Sequence, residues 1–167
     1  LSANKKLKDI MDNKNNYGNS ALHEAACIGD VQAVTDLLNI LAEVNARNKD
    51  GETPLHLATL RNQTDTIKLL IAAKADVTAE NRFNNTPLHN STICGNTSIV
   101  GLLIKSGAKV NIQNYKGNTP LHLAVIHQHN EIIANLIRRG ADVNLKNKKG
   151  ETAFDLAATE EMKTWLM

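Results

Sequence analysis

Aromatic side chains are scarce in this sequence: Trp, Tyr and Phe make 3% of 167 residues, one Trp, two Tyr and two Phe. A protein closed around one central core usually draws much of its buried area from such rings, so the scarcity argues for an aliphatic, repetitive core. Cysteine is limited to Cys27 and Cys94, which excludes the disulfide framework of small secreted domains. No apolar run approaches the roughly 18 to 20 residues a membrane span needs, and no signal-peptide pattern opens the chain. An excess of one charge is missing too. Nineteen Lys and Arg face 17 Asp and Glu, and a net charge of +2 gives no footprint for nucleic acid or a membrane surface. These absences lead us to expect a single soluble domain, intracellular in the cytoplasm, the nucleus or both, monomeric, and without a nucleic-acid partner or membrane span. Asn-x-Ser/Thr sequons at Asn62, Asn84, Asn90 and Asn96 would matter only in the secretory pathway.

What the sequence does contain is a period. Ser20-Ala21-Leu22-His23, Thr53-Pro54-Leu55-His56, Thr86-Pro87-Leu88-His89, Thr119-Pro120-Leu121-His122 and Thr152-Ala153-Phe154-Asp155 start 33 residues apart each time. Val44, Val77, Val110 and Val143 keep the same step, as do Leu37-Leu38, Leu70-Ile71, Leu103-Ile104 and Leu136-Ile137. Small residues recur at Ala25, Ala58, Ser91, Ala124 and Ala157, where close approach of neighbouring helices requires them. Each string opens with Ser or Thr, a good helix N-cap, and three continue with Pro at the first helical position, where a missing N–H costs nothing. A helix is therefore predicted at every string. In the second unit it runs from about Pro54 to Leu60, breaks near Asn62, and is followed by a second helix from about Thr64 to Ala72 with Ile67, Leu70 and Ile71 on its buried face. Gly18, Gly51, Gly117 and Gly150 mark a turn ahead of the strings, where positive φ suits glycine.

Helix, turn, helix and a projecting hairpin over 33 residues, with a TPLH start and an ADVN-like end, resembles the ankyrin repeat. The resemblance covers four full units, 16–48, 49–81, 82–114 and 115–147, and a shortened capping unit at 148–167. It implies an all-α solenoid of stacked helix-turn-helix units with projecting β-hairpin loops. Residues 1–15 align with the end of a preceding unit, Ile10, Met11 and Asp12 matching Glu43, Val44 and Asn45, so the chain reads as a segment of a longer protein. Asn84 replaces the turn glycine in the third unit, a substitution the left-handed region tolerates. Leu41 and Lys74 occupy the helix-end column held by Gly107 and Gly140, which predicts strained helix ends and local mobility near Leu41. In the last unit Phe154 stands in the Leu column, while Trp165 and Leu166 fall in step with Ile132 and Ile133 as a closing cap.

A single unit cannot bury its apolar face alone, so such units stack and leave a long surface open. The resemblance implies a protein partner bound by the residues ahead of each string and at the end of each first helix. The candidates are Tyr17, Asp50, Leu60, Arg61, Phe83, Ile93, Tyr115, Lys116, Ile126, His127, Lys148 and Lys149. Three of the five aromatic residues fall on these tips, where they do little for a helical core and can anchor an interface. Cys27, Ile28 and Cys94 extend the helix-end row, and Arg138, Arg139 and Lys146 join Lys148 and Lys149 in a basic cluster. The resemblance also implies hydroxylation of the hairpin asparagine at Asn144, then Asn111 and Asn45; Thr78 removes the second unit from that set.

Catalytic readings find no residues to stand on. His23, His56, His89 and His122 share one repeat column and so spread along the stack rather than converging on an ion. The resemblance gives them a backbone-bonding role between hairpins. His127 and His129, two apart, would point to different faces of a helix, which argues against zinc; the reading includes no metal, no cofactor and no enzyme activity. A scaffold or adaptor is the leading function. The alternatives are an inhibitor masking a signalling or transcription factor, and a targeting module of a longer chain such as a microbial effector, an enzyme or a channel.

Overall fold

A computed structural model describes residues 5, 6, 9 and 13–167. Ile10, Met11 and Asp12, aligned above with a preceding unit, lie outside the described residues. Nine helices are present among the described residues, and no strand: α1 Ala21–Ile28, α2 Val31–Asn39, α3 Pro54–Leu60, α4 Thr64–Ala72, α5 Pro87–Ile93, α6 Thr97–Lys105, α7 Pro120–Ile126, α8 Asn130–Arg138 and α9 Glu160–Leu166. None is long and apolar enough to cross a membrane.

Ser20, Thr53, Thr86 and Thr119 hold extended backbone at the N-caps of α1, α3, α5 and α7, and the histidine three residues on closes a reciprocal capping box with each. Leu22, Leu55, Leu88 and Leu121, one turn inside, are all but sealed from solvent. Each second helix buries one aliphatic stripe: Val34 on α2, Ile67 and Leu70 on α4, Ile99, Val100 and Leu103 on α6, and Ile132, Ile133 and Leu136 on α8. The chain divides into two compact units, Leu1–Arg82 and Phe83–Met167. In the first, α1 packs on α3 and α2 on α4; in the second, α5 packs on α7 and α6 on α8. First helices thus stack on first helices within each unit, and second on second. Ala25, Ala58, Ser91 and Ala124 are buried where that stacking needs small side chains.

The loops between units differ from the expected β-hairpins. Each finger is a turn held by its own bonds, as where Asn48 N–H donates to the Glu52 carbonyl at 3.0 Å and Gly51 N–H to the Asn48 carbonyl at 3.0 Å. Neighbouring fingers are joined by a single backbone bond: Lys49 N–H to Tyr17, Arg82 to Asp50, Tyr115 to Phe83 and Lys148 to Lys116, at 2.9 to 3.0 Å. One bond per pair does not make the repeating ladder that defines a strand.

The helix ends behave as the glycine column foretells. Leu41 and Lys74 sit at φ 65° and 67°, left-handed without the licence glycine has at Gly107 and Gly140. Asn84 takes φ 55° at the turn where the other fingers have glycine.

The helix expected at Thr152 is not formed; residues 153–156 make a turn. Asp155 Oδ2 accepts from the Thr152 N–H and hydroxyl, both at 2.8 Å, reproducing the histidine's cap. A carboxylate has no second ring N–H to donate onward, and no proline fixes the first turn. Ala153 is buried instead of Phe154, which is exposed in the column where leucine is sealed. The cap is α9, which buries Met162 and Leu166 and leaves Trp165 half-buried.

Candidate functional site

The fingers are built by polar residues that recur with the period. Asn15, Asn48, Asn114 and Asn147 each use Oδ1 to accept two finger N–H groups, those two and four residues on, at 2.9 to 3.0 Å. The amide of the last three reaches back to the preceding finger: Asn48 Nδ2 to Asn19 Oδ1 at 2.9 Å, Asn114 to Asn85 at 3.0 Å and Asn147 to Asn118 at 3.1 Å. Asn81 completes the column and is buried. These asparagines escaped the sequence analysis above, although the same residue stands at five positions spaced 33 apart. A second missed column ties successive fingers at their bases: Arg47 donates to the carbonyls of Gly51 and Glu80, and Gln113 to those of Gly117 and Lys146.

The histidine column has the bonding role the resemblance implies. In each, Nδ1 accepts from the N–H of the capping Ser or Thr at 3.1 to 3.2 Å, so the proton resides on Nε2. That Nε2–H donates to the finger ahead: His23 to the Glu52 carbonyl at 2.9 Å, His89 to Asn118 at 3.2 Å and His122 to Glu151 at 3.1 Å. Burial holds the His23 and His122 pKa below the ordinary value, the accepting carbonyls opposing only in part.

This scaffold places the twelve candidate side chains as follows. In the first unit Tyr17 stands 75% exposed on its finger, while Leu60 and Arg61 are exposed at the end of α3. Asp50 is engaged by Arg82 at 2.7 Å, an ion pair of two half-exposed groups that joins neighbouring fingers. In the second unit Phe83 and Tyr115 remain exposed at 40% and 45% with ring centroids 5.7 Å apart, and the Lys116 ammonium lies 5.5 Å from the Tyr115 ring. Phe83, Ile93, Tyr115, Lys116, Ile126 and His127 line one cleft of about 400 Å³. Tyr115, Lys116, Ile126, Lys148 and Lys149 line the next, of about 480 Å³, with Leu156 and Glu151. All eight candidates of the second unit thus border one of two adjoining clefts.

Of the rest of the helix-end row, Ile28 is largely exposed, whereas Cys27 and Cys94 are half-buried and in no disulfide. Burial pushes the Cys94 pKa up. The divergence expected of His127 and His129 is not found: their rings stack, 14° from parallel and 5.9 Å apart. The pair lies in the turn between α7 and α8, not on a helix, and Gln128 between them has φ 58°. His129 Nε2 is bonded to the Ile93 carbonyl at 3.1 Å, tying it to the preceding layer as Gln63 ties to Cys27. Among the described residues no group of three or more His, Cys, Asp or Glu converges for a metal.

Asn45 and Asn111 use Oδ1 to accept the N–H of Asp76 and Asp142, both at 2.8 Å, and the Asn111 amide also donates to the Gly140 carbonyl. Asn144 is exposed, its backbone N–H on Asp142 Oδ1. Of the three it is the one whose side-chain amide no inter-finger bond holds among the described residues.

A family model described as ankyrin repeats (3 copies) matches residues 2–81, 22–114, 73–147 and 95–165. No curated protein matches the chain.

Proposed function

The chain belongs to the ankyrin-repeat family, and on that premise we propose that it is a scaffold or adaptor that binds a partner protein through its finger tips and the C-terminal ends of its first helices. Ankyrin repeats are in general protein-interaction modules and are typically non-enzymatic. The observation that carries the reading is the exposure of Tyr17, Phe83 and Tyr115 in a chain otherwise nearly without aromatic residues. Helices stacked on aliphatic columns have no use for rings on their projecting loops. Exposed aromatic side chains with few rotamers bury much area on binding at small entropic cost. Affinity capture with quantitative mass spectrometry, run on the wild type and on Tyr17→Ala/Phe83→Ala/Tyr115→Ala, tests the assignment. Proteins enriched by the wild type should be depleted from the triple variant. An unchanged capture profile would remove these residues from the binding face.

A further inference from the structure

The cleft of about 480 Å³ in the second unit has a lining that divides by chemistry. Tyr115, Ile126 and Leu156 give it an apolar surface; Lys116, Lys148 and Lys149, all exposed, give it positive charge. The Lys148 N–H bond to the Lys116 carbonyl, 2.9 Å long, holds the two lysine-bearing fingers side by side. Among the described residues none of the three ammonium groups is in an ion pair, whereas Lys68, Arg82 and Lys163 are. The one carboxylate in the lining, Glu151, accepts from Asn147 Nδ2 at 3.0 Å, which leaves two positive charges in excess.

We propose that this cleft receives a large apolar side chain from an acidic segment of a partner protein, whose Asp and Glu carboxylates pair with Lys116, Lys148 and Lys149. The inference rests on the finger face being the binding face and narrows it to one occupant at one end. A cavity of this size suits one bulky side chain with its adjoining backbone. Unpaired lysines beside an apolar floor favour carboxylates that flank the anchor, because each lysine offers a mobile point charge. A nucleic-acid strand fits the same place less well. Tyr115 already has Phe83 at 5.7 Å and the Lys116 ammonium over its ring, so it is no open stacking platform. A net charge of +2 provides no long basic track for phosphates.

Panning a randomised peptide display library on the whole chain tests the proposal. Wild-type selection should enrich a large apolar residue flanked by Asp and Glu. The synthetic consensus peptide should then bind Lys148→Ser/Lys149→Ser more weakly by about fivefold or more, lose affinity as salt is raised, and bind Glu151→Gln more tightly. Ile126→Ser, a change at an exposed site, should weaken the same peptide without altering its salt dependence. Enrichment of neutral or basic sequences would overturn the proposal, as would an acidic peptide indifferent to the lysine variant. So would single-stranded DNA that binds with the same lysine dependence and displaces the peptide. Captured partners that survive the lysine variant but are lost from the tip-aromatic variant would sink this inference alone; partners indifferent to both would sink the broader reading as well.

Discussion

At the scale of single residues, one buried side-chain hydroxyl among the described residues stands out for lacking a partner. Thr66 on α4 is sealed from solvent, and its hydroxyl has no hydrogen-bond partner. An unmade buried bond costs about 1 to 3 kcal/mol, so Thr66→Val, which keeps the shape and removes the hydroxyl, should stabilise the protein by about 1 kcal/mol in urea unfolding. A loss of stability would mean that the hydroxyl is bonded in solution. The His122 column makes the opposite point, because every ring nitrogen described there is in use. Protonating Nδ1 would remove the acceptor for the Thr119 N–H and place a buried charge against the cap. The histidine column was legible and the resemblance supplied its bonding role, whereas the asparagine column, just as periodic, was passed over. Asn is common in this chain, and a polar residue carries no hydrophobic period to draw the eye.

At the scale of elements, two backbone predictions follow from the turns. A Cβ on Gly117 would lie 2.6 Å from the Lys148 nitrogen, at φ 75°. Gly117→Ala should therefore break the bond between the last two fingers and cost about 2 kcal/mol or more, read as a shift in the urea midpoint. At Leu41 the sign reverses. A leucine at φ 65° and 81% exposed gains little from its side chain, and Leu41→Gly should stabilise by about 0.5 kcal/mol, the relief of left-handed strain outweighing glycine's entropy. Amide exchange near Leu41 should also run faster than near Gly140 in the wild type; equal protection would contradict the strain argument. The first helix of the second unit was legible down to its ends, Pro54–Leu60, because cap, proline and leucine columns coincide there. Fingers were not, since a β-hairpin and a bare turn share the same Gly and Asn signals and differ only in how many backbone bonds neighbours exchange. Residues 153–156 were misjudged for a related reason: Thr152 and Asp155 reproduce a cap, but a cap alone does not propagate a helix.

Taken as a whole molecule, the chain should respond to acid through its histidine column. Burial holds the His23 and His122 pKa below 6.5, so the unfolded chain takes up protons first, and stability present above 6.5 is lost as pH falls through that value towards the folded pKa. Glu52 works the other way: burial raises its pKa above 4.5, so its contribution declines as pH rises through the folded value. Urea unfolding across this range should show a net fall in stability below 6.5, larger in the wild type than in a variant with His122 replaced by Gln. The exposure of Tyr17, Phe83 and Tyr115 follows the finger positions that the resemblance implied, whereas Cys27, Ile93 and Cys94 in the helix-end row are half-buried. How Asp50 is spent on Arg82, and how the lysines of two fingers meet at one cleft, depends on side-chain geometry that no periodicity encodes. Hydrogen–deuterium exchange of the chain with a captured partner tests the central claim most directly. Protection should appear in the fingers around Tyr17, Phe83 and Tyr115 and at the ends of α3, α5 and α7, leaving α2, α4, α6 and α8 unchanged; protection confined to those second helices would contradict it.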